Sequence, residues 1–114
     1  MKIFNKVKGD AGERKACEYL IKQNYKILIT NHRNSGGEID IIAKQGALTV
    51  FVEVKTRTDK TFGFAAEAVD FKKQQKIKTA ATLYAQKYNI EQMRFDVVEV
   101  YIKSGEINHI VNAF

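Results

Sequence analysis

The sequence predicts an α/β domain: a five-stranded mixed sheet flanked by helices, in the order helix-β-β-β-helix-β-β. Three observations carry this. Two segments repeat apolar residues at helical spacing, one near the amino end and one from about residue 65 to 88. Between and after them lie short segments rich in branched apolar residues, punctuated by Gly- and Asn-containing turns. A helix placed between the third and fourth of these strands makes a crossover that joins parallel neighbours. With 114 residues, no proline, no repeat and no low-complexity linker, the chain is expected to form a single domain over 1–114.

The first element is a helix from about Asp10 to Gln23, with Ala16, Cys17, Leu20 and Ile21 as its apolar stripe. Asp10 and Glu13 have N-cap and N3 spacing, yet Glu13 also falls in line with the stripe. Glu13 is therefore either a cap partner or a carboxylate aimed at the sheet. Cys17 reads as a small core residue, since no histidine is placed near it to make it a nucleophile. Tyr25 to Thr30 is a strand, and His32 and Arg33 sit on the loop that follows. No second histidine or cysteine has ligand spacing to His32.

After the turn Asn34-Ser35-Gly36-Gly37 comes the central hairpin, Gly36 to Arg57. Alternation sets Glu38, Asp40 and Ile42 on one face of its first strand, and Ile39, Ile41 and Ala43 on the other. In its second strand Thr49, Phe51, Glu53 and Lys55 share a face, opposite Val50, Val52 and Val54. A two-residue loop at Gln45-Gly46 sets Asp40 opposite Phe51 and diagonal to Glu53 on the same face, roughly 7–8 Å away. A strand this apolar is buried on both sides, and charges within it are costly unless paired or bound to a metal.

The polar loop Thr56 to Phe64 leads into a helical region, Ala65 to Tyr88, whose buried stripe is Val69, Ile77, Ala80, Ala81, Tyr84 and Tyr88. Asp70 can alternatively cap a fresh helix at Phe71. Lys72 and Lys73 then occupy its first turn and Lys76 its second, where the dipole disfavours cations and a bound phosphate would remove the objection. Lys73 falls on the apolar stripe; a solvated basic face is the alternative reading of the others. The chain ends in a hairpin, Arg94 to Ile102 and Glu106 to Val111 about Ser104-Gly105, in which His109 reads as an ordinary strand residue.

Nineteen Lys+Arg against thirteen Asp+Glu give a net charge of +6, which suits a polyanionic partner such as nucleic acid. Membrane is disfavoured as a partner: no helix pairs a basic face with bulky exposed apolar residues, and the apolar run Ala47 to Val52 is too short to span a bilayer. The amino end lacks the apolar core of a secretory signal, and the single cysteine fits a reducing cytoplasm, the expected location.

Asp40 on one strand and Glu53-Val54-Lys55 on the next have the parts for phosphodiester hydrolysis. Two carboxylates hold Mg²⁺ or Mn²⁺ through oxygen ligands, and an ammonium steadies charge building on the phosphate. The plainer alternative is a structural ion pair of Lys55 with one carboxylate. The pattern resembles the PD-(D/E)xK nuclease signature, and the element order is similar to the restriction-endonuclease-like fold. The whole chain resembles the YraN-type family of small bacterial proteins. The residues that carry this are Gly12-Glu13, Asn31 and Arg33, Gly37-Glu38-Ile39-Asp40, Phe51 through Arg57, Phe62-Gly63, Glu67-Ala68-Val69, Lys73, Arg94-Phe95-Asp96 and Asn112-Ala113-Phe114. Phe71 departs from it, since relatives often carry proline there.

That family is similar to archaeal Holliday-junction resolvases, which implies an inward-facing Glu13 as a third acidic member. The implied metal ligands are Asp40, Glu53 and Glu13, with Lys55 as the catalytic cation. Arg33, Arg57, Lys72, Lys73 and Lys76 are the implied contacts to nucleic acid. The expected function is a Mg²⁺-dependent endonuclease acting on structured or single-stranded DNA, with a homodimer as the arrangement that would cut two strands. A non-cleaving nucleic-acid-binding module and a metal-stabilised scaffold for a protein partner are the competing readings.

Overall fold

The computed structural model describes residues 7–58 and 70–114, with side chains from residue 11 onward. Its elements are α1 (Val7–Lys22), β1 (Lys26–Asn34), β2 (Gly37–Gln45), β3 (Leu48–Arg57), α2 (Phe71–Tyr88), β4 (Met93–Tyr101) and β5 (Ile107–Ile110). They form one five-stranded sheet in the order β1-β2-β3-β4-β5. β3 and β4 run parallel, and the other neighbours antiparallel. The mixed sheet and the element order are those the sequence predicts.

Two apolar layers hold the helices on. Ala16 and Leu20 of α1 pack with Ile41, Ala43, Val50, Val52, Val98 and Val100 on one face. Ile77, Ala80 and Ala81 of α2 pack with Ile39, Ile42 and Phe51 on the other. β3 is thereby covered on both sides, which is why its sequence is nearly continuously apolar. A side chain at Gly12 would collide with the Thr56 hydroxyl. The bare Cα lets α1 approach β3 closely, and Glu13 follows directly after it.

Several boundaries differ from expectation, each for a local reason. α1 begins at Val7, so Glu13 lies inside the helix and has no N3 role. α2 starts at Phe71, where the Asp70 side chain caps it by accepting from the Lys73 amide at 2.8 Å. The part of the longer expected helix that covers 65–69, including Val69, falls outside the described residues, as does Phe62-Gly63. β1 runs on to Asn34, so Arg33 and His32 are strand residues opposite Glu38 and Ile39. On α2, Ala85 is buried where Tyr88 was expected, and Tyr88 is exposed.

The central turn sits one residue later than the sequence suggests, at Gly46-Ala47. Lys44 pairs with Thr49 and Gln45 with Leu48. Gly46 takes φ 62°, the left-handed region that the first position of a type II′ loop requires. Moving a two-residue turn by one shifts the register by two, which preserves the face of every side chain.

On the α1 face a buried polar chain ties the end of the sheet together. Asp96, 0% exposed, receives Nε and an Nη of Arg94, each at 2.8 Å, and the Asn112 amide at 3.0 Å. His109 Nε2 lies 2.7 Å from Asp96, and the Tyr19 hydroxyl lies 3.0 Å from His109 Nδ1. Arg94 also donates to the Tyr25 hydroxyl at 2.9 Å. His109, expected to be an ordinary strand residue, is therefore a structural link between β5, β4 and α1. Among the described residues no helix is long and apolar enough to cross a membrane.

Burial alone would raise the Asp96 pKa, but hydrogen bonds from His109, Arg94 and the Asn112 amide outweigh it and hold the group down to about 2. Its stabilising contribution is therefore present above the ordinary carboxylate range and is lost as pH falls through about 2. Asp96→Asn should lower stability at pH 7 by about 3–5 kcal/mol, because it leaves the Arg94 charge without its partner. Denaturant melts should show this, together with a weaker dependence on pH between 4 and 2 in the variant. A variant as stable as wild type would contradict the role assigned to the network.

Candidate active site

The candidate site forms where two strands part. Pairing between β2 and β3 stops at Ile41–Val52, while β3 stays paired with β4 as far as Arg57–Tyr101. Strict alternation would put Ile39 on the face of Ile41; instead Ile39 packs beside Ile42 in the α2 layer, so β2 turns over at Asp40. Across from it on β1, Asn31 takes φ 53° between the pairs Thr30–Ile41 and His32–Ile39. The irregularity thus spans both strands. At the fork, Oδ2 of Asp40 accepts the Val54 amide at 2.8 Å, in the place of a main-chain carbonyl.

The register carried one residue past Ile41–Val52 sets Asp40 level with Glu53, where the sequence reading had it opposite Phe51. The two carboxyl groups are close enough for Glu53 to favour the protonated form of Asp40, through its charge and as a hydrogen-bond partner. Burial is the largest cause that raises the Asp40 pKa, from 3.8 to about 7; the charge of Glu53 comes next, and that of Glu13 adds to it. The hydrogen bond from Val54 opposes the shift and is outweighed.

Glu53 has a side chain only 4% exposed, and Nζ of Lys73 lies 2.7 Å from its Oε2. Burial works against the Lys73 charge, but the ion pair with Glu53 and the fields of Asp40 and Glu38 outweigh it and raise its pKa. The helical spacing explains the reach, since Lys73 stands one turn before the buried Ile77 on the same stripe of α2. Lys55 follows Glu53 by two residues on the same strand and so on the same face. Among the described residues, the cation paired with Glu53 is Lys73, and the ion pair of Lys55 with a carboxylate, the plainer alternative from the sequence, is not formed.

Glu13 accepts from Nδ2 of Asn31 at 2.9 Å and contributes to the field at Asp40. It therefore borders the pair, although among the described residues no three acidic, histidine or cysteine side chains converge into a ready-made metal cage. Asn31 is a site residue to which the sequence reading gave no role; its left-handed backbone inside a strand is invisible in the sequence. Arg33 pairs with Glu38 at 3.4 Å on an exposed surface. Arg57 is largely buried against Glu99, Nε to Oε2 at 3.3 Å, and Glu99 also accepts from Tyr101 and Asn108. Cys17 is held as a thiol, its pKa pushed up to about 11 by burial and by Glu13 and Glu18.

Beside the carboxylates lies a recess of about 320 Å³, lined by Gly37, Glu38, Asp70, Lys72, Lys73, Lys76 and Ile77. Asp70 is α2's N-cap, and the first turn of the helix carries no acidic residue. Three of the five expected nucleic-acid contacts thus converge on one side of the carboxylate pair.

The donor set suits a hard divalent cation. Asp40 and Glu53 offer oxygen only, in a half-buried fork where the two charges repel unless compensated. Mg²⁺ characteristically takes one or two carboxylates and completes its shell with waters and phosphate oxygens.

A family model described as Uncharacterised protein family UPF0102 matches residues 12–100. A UPF0102 protein of Clostridioides difficile is 50% identical over 112 residues, spanning 96% of this chain and 98% of its own. This chain belongs to the UPF0102 (YraN) family. A UPF0102 protein of Caldanaerobacter subterraneus is 48% identical over 120 residues, spanning 99% of this chain and 98% of its own. One of Caldicellulosiruptor saccharolyticus is 46% identical over 112 residues, covering 93% and 95%. In this UPF0102 chain the matched region contains every residue of the carboxylate fork and of the lysine recess.

Because the folded pKa of Asp40 is raised, its contribution to stability is fully present below about pH 4 and is lost as pH rises through about 7. Asp40→Asn keeps an acceptor for Val54 and a donor for Glu53 while removing the titration. In metal-free buffer at pH 8 it should be more stable than wild type, by on the order of 1–3 kcal/mol, with the gain shrinking as pH falls below about 7 and gone near pH 4. Thermal melts from pH 4 to 9 in chelator check this; a variant less stable at pH 8 would contradict the repulsion described.

Proposed function

We propose that this UPF0102 chain is a divalent-metal-dependent endonuclease acting on structured or single-stranded DNA. One observation carries the reading: two carboxylates from adjacent strands are forced together at a fork that opens beside a lysine-lined recess. Such a pair is costly to bury, and the fold does nothing to keep its members apart. Asp40 and Glu53 would hold Mg²⁺ or Mn²⁺, with Glu13 bordering the site. When bound, the ion supplies the charge that polarises a phosphodiester and acidifies water. Lys55, on the strand face of Glu53, stabilises charge building on the phosphate. Lys72 and Lys76 take the flanking backbone phosphates, and Arg33 extends the basic surface; Arg57 keeps Glu99 compensated.

The Lys73–Glu53 ion pair favours one second reading, a binding module in which the charges serve only to hold α2 to the sheet. Cleavage of duplex, flap, junction and single-stranded DNA with Mg²⁺ and Mn²⁺ separates the two. The nuclease reading expects cleavage that Glu53→Gln and Asp40→Asn abolish while binding persists. It expects Lys55→Ala to lose cleavage and keep more metal affinity than either. A wild type inert on every substrate, with DNA affinity intact, would leave the binding module.

Either reading expects affinity for DNA to fall steeply with salt through counterion release. The double variant Lys72→Ala, Lys76→Ala should bind more weakly, with the slope of log affinity against log salt reduced by up to about 2. Unchanged affinity would make the recess an ordinary solvated face.

A further inference from the structure

Lys73 belongs to two places at once. Its Nζ is 2.7 Å from Oε2 of Glu53, yet half of its side chain is exposed and it lines the recess with Lys72 and Lys76. Its backbone is fixed, because its own amide is capped by Asp70 and Ile77, one turn on, is buried in the α2 layer. Its side chain is not: a four-carbon stem with three rotatable donors can exchange one anion for another nearby. A divalent cation on Glu53 would stand against this ammonium, since both need the same carboxylate and like charges at such short range repel.

We propose that Lys73 is a displaceable counter-ion, which holds Glu53 while the carboxylates lack a divalent cation and passes to a backbone phosphate in the recess when the cation binds. The inference rests on the metal-dependent reading above and names the residue that couples its two halves. A phosphate offers the ammonium the same charge-assisted hydrogen bond that Glu53 gives up. Metal and nucleic acid therefore favour each other's binding, by the same factor in either order. Lys73 is a positioning residue in this scheme, distinct from Lys55.

The test is Mn²⁺ binding by electron paramagnetic resonance to the full chain at pH 8, first without nucleic acid. Lys73→Met removes the ammonium, and Lys73→Gln keeps a hydrogen-bond donor for Glu53 in case the apolar variant fails to fold. Lys72→Met removes an equal charge from the same recess and measures the through-space effect. Both Lys73 variants should bind Mn²⁺ about tenfold more tightly than wild type, and Lys72→Met by clearly less. A short oligodeoxynucleotide should raise the Mn²⁺ affinity of wild type several-fold and that of the Lys73 variants by less. If wild type binds Mn²⁺ and the folded Lys73 variants bind it no better, the counter-ion role is overturned while the metal-dependent reading stands. If neither wild type nor folded Lys73→Gln binds Mn²⁺, both fall together.

Discussion

One main-chain amide organises the candidate site. Once β2 leaves β3 beyond Ile41–Val52, the Val54 N–H has lost its strand partner. Leaving such a group unsatisfied in a half-buried place costs about 1–3 kcal/mol. Asp40 supplies the missing acceptor, and in doing so it is fixed against Glu53. The bond that repairs the sheet is the same one that creates the electrostatic conflict. Relief comes from the ammonium of Lys73 and, as pH falls through about 7, from a proton on Asp40; a divalent cation could replace both.

The rest of the fold works to keep that fork in place. α1 and α2 clamp β3 from opposite faces, so Glu53 cannot turn away without disturbing Phe51 and Val52. Gly12 admits α1 close to Thr56, and Asn31 holds Glu13 at the border of the pair. At the same end of the sheet, Arg57 and Glu99 neutralise each other next to Lys55, whose strand neighbour on β4 is Glu99. Asp96 makes the contrast on the α1 face: it is more deeply buried than Asp40, yet it is surrounded by donors and held ionised. Burial alone does not decide the state of a carboxylate here; the balance of donors against neighbouring negative charge does.

Much of this was legible in the sequence because it follows from periodicity. The alternation of the hairpin placed Asp40 and Glu53 on one face, and an error of one residue in the turn did no harm because it shifted the register by two. The stripe on α2 put Lys73 on the sheet side, and the cap at Asp70 was visible as spacing. What could not be read were departures from regularity. The turn of β2 at Asp40 moved Ile39 to the other layer, and the left-handed Asn31 gave Glu13 a partner across 18 residues of chain. His109 looked ordinary because its partners, Tyr19 and Asp96, lie 90 and 13 residues away and meet it only in the folded sheet.

Anomalous diffraction from crystals soaked in Mn²⁺ at pH 8 would locate a cation at the fork. A single strong peak should lie within bonding distance of both Asp40 and Glu53, with Lys73 withdrawn from Glu53 and the Val54 amide still held by Asp40. Crystals that show no peak at the fork at millimolar Mn²⁺, with the Lys73–Glu53 pair unchanged, would contradict a metal site built on Asp40 and Glu53.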